Sequence, residues 1–266
     1  MNEMMSTLVK RLDETALSGT NIIPWSCPVP SFGDLSRARV ATLGLNPSNR
    51  EFVDATGNEL DGPSRRFHTL SSLGLARWSD ANAQHMQLIV DSCSAYFSRN
   101  PYDAWFKKLD NIIGGTKASY YHASIKACHL DFIPYATECK WNALTREQRS
   151  SLLAATGDTL GLLLRDSPVR LLILNGHSVV QQFQEIASIR LDKQAMENWS
   201  LPRREQSSVT GFSYTGAVRD LFGVRLKREV LVLGFNHNIQ SSFGVTTQVT
   251  DAIRQWIARS AHEALL

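Results

Sequence analysis

Short runs of apolar residues, each bounded by polar residues or by glycine and proline, recur along the chain and predict buried strands. These runs cover residues 39–45, 123–131, 169–174 and 229–235. Segments with the apolar spacing of helices stand between the runs and at both ends of the chain: residues 2–17, 80–97, 103–113, 145–165, 178–188 and 245–265. This alternation predicts an α/β fold, a three-layer α/β/α architecture in which helices cover both faces of a mostly parallel central sheet.

The remaining segments are polar or rich in turn-forming residues. Residues 46–64 are a long, polar predicted loop, and a loop of that length inside a compact domain is usually functional. Residues 191–208 are polar and are predicted to be irregular, whereas residues 209–215 are predicted as an edge strand. No linker divides the chain, so residues 1–266 are interpreted as a single domain in which residues 1–37 form an N-terminal extension of helix and loop.

The composition limits the classes of protein to which the chain can belong. Of its 266 residues 43% are hydrophobic, yet no apolar run approaches the roughly 20 residues of a membrane span. The first 17 residues lack the apolar core of a signal peptide, so we expect a cytoplasmic protein without a membrane partner. A net charge of +3 permits a nucleic-acid partner without requiring one.

Four cysteines are spread widely along the chain, at Cys27, Cys93, Cys128 and Cys139. None belongs to a C-x-x-C pair, and zinc or iron–sulfur sites usually show closer spacing. The sequence therefore predicts neither a metal site nor a cofactor. The oligomeric state does not follow from the sequence, and a monomer is the working expectation.

Small, polar or titratable residues come at the carboxyl end of each predicted strand, which is where open α/β sheets bind ligands. Asn46-Pro47-Ser48 follow the first strand, Asp131 ends the second, Asn175-Gly176-His177 follow the third, and residues 236–242 follow the fourth. Each has an ordinary structural interpretation as well, because Asn-Pro-Ser is a common turn and a polar residue after a strand often caps a helix. Their occurrence at four strand ends indicates a ligand site.

Four motifs in this order resemble those of the uracil-DNA glycosylase superfamily. Gly44-Leu45-Asn46-Pro47-Ser48 is similar to the Gly-x-Asn-Pro-Gly motif of the mismatch-specific and single-strand-selective branches. Asp131-Phe132-Ile133-Pro134 is similar to the base-recognition motif, in which an asparagine stands three residues before a proline. Leu171 to Gly176 is similar to the apolar strand that ends in glycine, and Phe235 to Ser242 to the closing motif. The resemblance spans roughly residues 38–260 and implies a uracil-DNA glycosylase-like fold.

The resemblance also implies an activity, the hydrolysis of the N-glycosidic bond of a pyrimidine that has been flipped out of DNA. Asn46 is then expected to hold the attacking water, and His237 to donate to the departing base. Base contacts are expected from Ser48 and Asp131, and from Phe67 as a stacking ring, with Phe52 as its alternative. Contacts to the DNA are expected from the residues around the first and last motifs: Pro47, Asn238, Gln240, Ser241 and Ser242.

Two departures from the family pattern bear on the substrate. The residue after the motif proline is bulky in the uracil-specific branch, where it resembles a gate against substituents at C5, and here it is the small Ser48. Asp131 stands in place of the recognition asparagine, and a carboxylate accepts from the N4 amino group of cytosine but repels O4 of uracil. We therefore expect a C5-modified cytosine, such as the glucosylated hydroxymethylcytosine of phage DNA, and hence a role in antiviral defence.

Other functions are compatible with the same residues. A repair glycosylase for uracil or mismatched thymine would use the same residues as a glycosylase for modified cytosine, and only the role of Asp131 in recognising the base would differ. A catalytically idle protein that binds or senses nucleic acid is favoured by Asn238, which stands where the closing motif has a proline. Another type of nucleotide-handling enzyme is disfavoured, because neither G-x-x-x-x-G-K-[ST] nor G-x-G-x-x-G follows a predicted strand.

Overall fold

The structure is a computed structural model that describes residues 2–121, 124–201, 208–239 and 245–262. Its α-helices are α1 (Asn2–Arg11), α2 (Leu70–Leu73), α3 (Ala83–Ser94), α4 (Asp103–Ile113), α5 (Arg146–Thr156), α6 (Thr159–Asp166), α7 (His177–Ala187) and α8 (Thr247–Ser260). Among the described residues, no helix has the length and apolar character needed to cross a membrane.

The strands form one seven-stranded sheet. They are β1 (Ala38–Gly44), β2 (Ala118–Ser119), β3 (Ile125–Asp131), β4 (Leu171–Asn175), β5 (Asp192–Leu201), β6 (Val209–Leu221) and β7 (Val224–Phe235). Their order across the sheet is β2-β3-β1-β4-β7-β6-β5, with β1 parallel to β4 and β4 parallel to β7. β6 runs antiparallel to both β7 and β5. The predicted α/β class with a mostly parallel sheet between helices is confirmed.

The central strands are apolar along their whole length because both of their faces are covered. Leu171 to Leu174 of β4 are fully buried, and so are Val40, Ala41 and Leu43 of the neighbouring β1. Helix α7 packs against β4 and β7, and α8 packs against β5 and β7. Continuous burial on two faces explains why these strands show an uninterrupted apolar run rather than an alternating pattern.

The far edge of the sheet differs from the prediction for residues 191–208, which was wrong for its first part. Residues Asp192–Leu201 form β5, an edge strand on which only Trp199 and Leu201 are buried. An edge strand with so little apolar surface has no periodic signal in the sequence. β6 and β7 are also longer than predicted, and they meet in a two-residue turn at Phe222-Gly223, where both φ angles are positive.

The predicted helices at residues 145–165 and 2–17 are each divided in the structure. The segment 145–165 contains α5 and α6, and the first of these begins with the predicted capping box, in which Thr145 and Gln148 bond to each other's backbone N–H. The segment 2–17 ends as an α-helix at Arg11 and continues after a turn as the 3-10 helix Thr15–Leu17.

The chain is organised as two compact units. The first unit comprises Met1–Asp34, Leu45–Pro101 and Leu130–Leu160, and the second unit comprises Leu35–Gly44, Tyr102–His129 and Gly161–Leu266. The second unit contains the sheet, except for the last two residues of β3, and the first contains α1, α2, α3 and α5. The chain passes between the units five times, and the predicted single domain stays a prediction.

Candidate active site

In the first unit, the loop after β1 is bonded to the segment that follows β3. The N–H of Ile133 donates to the carbonyl of Leu45 at 3.1 Å, and a parallel bridge pairs Ser48 with Thr137. The side chain of Asn49 adds a bond to the carbonyl of Glu138 at 3.3 Å. Two of the predicted motifs, separated by more than eighty residues in sequence, are therefore neighbours.

The amide of Asn46 is held in one orientation. Its Nδ2 donates to Oγ1 of Thr137 at 2.9 Å and to the carbonyl oxygen of Pro47 at 3.1 Å. The Thr137 hydroxyl uses its own hydrogen in a 2.7 Å bond to the carbonyl of Cys139, so it must accept from Asn46. Both N–H groups are thus occupied, while none of the described residues donates to Oδ1 of the half-buried Asn46.

Ser48 begins the 3-10 helix Asn49–Glu51. Its Oγ accepts from the N–H of Arg50 at 3.2 Å, which is the bond of an N-cap. The side chain is exposed, whereas the preceding Pro47 is buried. The structure therefore gives Ser48 a local structural role, and its predicted contact with a base stays a prediction, as does the predicted DNA contact of Pro47.

A pair of buried carboxyl groups lies in the same unit. Asp131, at the carboxyl end of β3, is 6% exposed, and Glu51 is 3% exposed. The pKa of Glu51 is raised from an ordinary 4.5 to about 7, chiefly by burial. The hydrogen bond from Tyr96 and the charge of Arg66 oppose this rise, and the charge of Asp131 adds a smaller part to it. Glu51 could not be predicted from the sequence, because a glutamate in a polar loop gives no sign of burial.

The predicted stacking rings lie in an aromatic cluster of the first unit. Phe67 is 1% exposed and stacks on Tyr96, with 5.1 Å between ring centroids and 9° between ring planes. Phe32 and Phe52 also contact Phe67, and Phe52 is buried to the same extent. Stacking of a base on either predicted ring would require these contacts to open, and that role stays a prediction.

His237 lies in the second unit and is 3% exposed. Its Nε2 is 2.6 Å from the carbonyl oxygen of Trp199, and since a carbonyl only accepts, Nε2 carries the hydrogen. Burial lowers the pKa of His237, although the bond to Trp199 opposes this shift. The ring is therefore neutral at pH 7, with Nε2–H already donating and Nδ1 able only to accept.

The loop after β7 is anchored by Asn236. Its Oδ1 accepts from the N–H of Phe212 and its Nδ2 donates to the carbonyl of Thr210, both at 2.8 Å. The carbonyl of Asn236 accepts from the N–H of His177 at the start of α7. Asn238 is exposed. The remaining predicted DNA contacts in this loop, Gln240, Ser241 and Ser242, lie outside the described residues.

The structure thus brings Asn46, Ser48, Asp131 and Phe67 into the first unit, and His237 and Asn238 into the second. In the described part of the chain, no group of three or more His, Cys, Asp and Glu side chains could hold a metal ion. Comparison with known protein families finds none that matches this chain, and comparison with curated proteins finds no match either.

Proposed function

We propose that this protein is a DNA glycosylase that removes a C5-modified cytosine, such as the glucosylated hydroxymethylcytosine of phage DNA, and leaves an abasic site. The observation that supports the proposal most directly is the fixed amide of Asn46. Its two N–H groups are bound to Thr137 and Pro47, so Oδ1 remains as a positioned acceptor. An acceptor of this kind holds a water molecule in place without deprotonating it.

In the proposed reaction, the water held by Asn46 attacks C1′ of the flipped nucleotide. The C1′–O bond forms while the C1′–N1 bond breaks, and its electron pair leaves with the base. One proton of the water ends on the released base, and the hydroxyl remains on the sugar. Positioning of the water, rather than base strength, is the contribution of Asn46, since an amide is a very weak base. The resemblance implies that His237 donates to the departing base, which requires its Nε2–H to leave the carbonyl of Trp199.

The identity of the base rests on Asp131 and Ser48. Asp131 is buried at the carboxyl end of β3, and a carboxylate accepts from the N4 amino group of cytosine. O4 of uracil is an acceptor, which a carboxylate repels. The small side chain of Ser48 is exposed, which leaves room beside it for a substituent at C5.

The proposal is tested by mass detection of bases released from oligonucleotides that carry uracil, mismatched thymine, cytosine or C5-modified cytosine. Release of the modified cytosine that is lost in Asn46→Ala supports it, and release of uracil alone refutes it. Asp131→Asn separates the two types of glycosylase. A cytosine enzyme loses activity because a neutral amide accepts more weakly from N4 than a carboxylate does, whereas an enzyme for uracil or mismatched thymine keeps or gains activity.

One observation favours a second candidate, a protein with this fold that binds or senses nucleic acid without cutting it. The Nε2–H of His237 is bound to the carbonyl of Trp199, so the neutral ring has no further hydrogen to offer to a base. If wild-type protein binds DNA but releases no base from any substrate in the panel, this candidate replaces the first.

A further inference from the structure

A cavity of about 490 Å³ lies in the second unit, lined by α7, the turn that follows it, β5 and β6. Its volume is in the range of roughly 300–1,000 Å³ that is typical of ligand sites. The turn is held by Gln184 of α7. The N–H of Ile189 donates to the carbonyl of Gln184 at 3.2 Å, and the N–H of Leu191 donates to its Oε1 at 2.9 Å. The fold therefore fixes this wall of the cavity.

Tyr214 of β6 brings an unused hydrogen-bonding group to the cavity. The residue is 4% exposed and belongs to the lining. None of the residues that the structure describes forms a hydrogen bond with its hydroxyl. The hydroxyl of a buried tyrosine usually has a partner, so this one is available to a ligand in the cavity.

Two cationic side chains line the cavity together with Tyr214. Lys193 of β5 is directly opposite Tyr214 in the antiparallel pairing, which places both side chains on one face of the sheet. Nζ of Lys193 lies 3.9 Å from the centre of the Phe212 ring. Arg190 is the second cation, and in the described part of the chain no carboxylate pairs with either of them. Since Glu185 is the acidic member of the lining, the cavity has one carboxylate against two cations.

The cavity adjoins the loop that carries His237. On the side of β6, the N–H of Phe212 donates to Oδ1 of Asn236 at 2.8 Å. On the side of α7, the N–H of His177, a lining residue, donates to the carbonyl of Asn236 at 3.1 Å. Both elements are thus bonded to the residue that precedes His237. A nucleotide held at His237 has phosphates of its own strand on either side, and the cavity offers them a cationic surface.

We propose that Lys193, Arg190 and Tyr214 bind a phosphate group of the DNA strand on which the protein acts. The two cations neutralise the phosphate, and Tyr214 donates its unused hydrogen to a phosphate oxygen. Such a contact positions the strand and carries no information about its sequence. The inference rests on the proposed function only in taking DNA as the partner, so it applies equally to a protein that binds DNA without cutting it.

The contact with Lys193 is tested by fluorescence anisotropy of a fluorescein-labelled oligonucleotide at several salt concentrations. Each phosphate that a cation neutralises contributes about 0.9 to the slope of log Kd against log salt for a duplex, and about 0.7 for a single strand. Lys193→Gln should lower the slope by this amount and weaken binding about threefold to tenfold at low salt. Lys193→Arg keeps the charge and should keep the slope.

Lys227→Gln is the matched control. It removes the same charge from the same unit, but Lys227 is bonded to Asp166 at 2.8 Å and does not belong to the lining. The slope of this variant should equal that of wild type. An equal decrease in Lys227→Gln and Lys193→Gln would mean that only the net charge matters, and it overturns the inference.

Tyr214→Phe tests the neutral contact, because it removes the hydroxyl and keeps the ring. Binding should weaken about threefold to tenfold, which corresponds to one hydrogen bond. The salt slope should stay unchanged, since a neutral hydroxyl releases no counterion. In the absence of DNA, the unfolding temperature of Tyr214→Phe should equal or exceed that of wild type. A lower unfolding temperature would assign the hydroxyl to a structural bond and overturn its role at the phosphate.

Three further results overturn the inference: wild type that does not bind DNA, unchanged slopes in both Lys193→Gln and Arg190→Gln, or deoxycytidine monophosphate that stabilises wild type as much as the oligonucleotide does. The last result would assign the cavity to a small phosphorylated ligand. If wild type binds DNA with the expected slopes but releases no base, the proposed activity fails and the phosphate site stands. If base is released while both variants keep the wild-type slope, the activity stands and the phosphate site fails.

Discussion

Thr137 controls the orientation of Asn46 through one hydroxyl group. This hydroxyl accepts from Nδ2 of Asn46 and donates to the carbonyl of Cys139, and the side chain is 2% exposed. The hydroxyl, together with the carbonyl of Pro47, therefore fixes the orientation of the Asn46 amide and leaves its Oδ1 end for the water of the proposed reaction.

Thr137→Val is expected to lower both stability and base release. Valine keeps the shape but removes the partner of two half-buried polar groups, Nδ2 of Asn46 and the carbonyl of Cys139, which costs up to about 1–3 kcal/mol for each group. The freed amide of Asn46 can rotate, and misplacement of the water reduces base release by about 100-fold. Chemical denaturation and single-turnover assays measure the two effects. Thr137→Ser keeps the hydroxyl and should stay close to wild type in both, and a fully active Thr137→Val would remove Asn46 from its proposed role.

His237 gives a prediction about acid stability. Its pKa lies below the ordinary 6.5 because of burial, so its contribution to stability is present above pH 6.5 and is lost as pH falls. His237→Gln keeps a donor for the carbonyl of Trp199 but cannot be protonated. The wild-type protein should therefore lose unfolding temperature relative to His237→Gln between pH 6.5 and pH 5. If the unfolding temperatures of the two proteins change in parallel over this interval, His237 has the same pKa in the folded and the unfolded state.

Asn46 could be predicted from the sequence as a candidate site residue, whereas its buried neighbours could not. A strand followed by Asn-Pro-Ser can be recognised in the sequence, because the pattern consists of consecutive residues. The burial of Glu51 depends on Tyr96, 45 positions away, and the orientation of Asn46 depends on Thr137, 91 positions away. Neither partner belongs to a motif, so neither could be found without the fold.

At the scale of elements, strands were predicted well where they are buried on both faces and poorly at the sheet edge. β1 and β4 show continuous apolar runs, and their bounds agree with the prediction within two residues. β5 is held by pairing with β6 and by the burial of Trp199 and Leu201, while most of its side chains are exposed. Pairing with a neighbour leaves no trace in the strand's own sequence.

The close approach of β5 and β6 at Gly211 gives a prediction about the edge of the sheet. A Cβ atom at Gly211 would lie 2.1 Å from Cβ of Trp199 and 2.9 Å from its carbonyl oxygen. Since that oxygen accepts from His237, Gly211→Ala should move the acceptor and lower base release as well as stability, the latter by about 1–3 kcal/mol. Thermal unfolding and the release assay measure both effects.

Gly216→Ala in the same strand is the control for this prediction. A Cβ atom there would meet the end of a flexible side chain, Cδ2 of Leu191, at 2.5 Å. Its loss of stability should be smaller, and base release should be unaffected. An equal loss of base release in both variants would mean that the effect does not pass through Trp199.

At the scale of the whole molecule, the division of the chain predicts how it unfolds. Neither unit is a continuous stretch of sequence, because each is assembled from three segments. If one unit unfolded alone, the segments of the other would be joined only by long unfolded stretches of chain. We therefore expect a single transition in differential scanning calorimetry, with equal calorimetric and van't Hoff enthalpies. Two resolved transitions would contradict the predicted single domain.

The α/β class was readable from the sequence, whereas the division into two units was not. Alternation of apolar strands with helices defines the class through local spacing alone. The units are defined by which distant segments pack together, and three boundaries fall at or inside regular elements: Gly44 ends β1, His129 lies within β3 and Leu160 within α6. A boundary without a flexible linker has no signature in composition.

The five passages of the chain between its units have a consequence for genetic recombination. Recombination exchanges contiguous stretches of a gene, and most long stretches of this gene encode parts of both units. An exchange with a diverged relative would therefore join segments that had not changed together. Asn46 and Thr137 are distant in the gene but bonded in the protein. A recombinant that receives only one of them from a diverged relative is therefore expected to lose this bond.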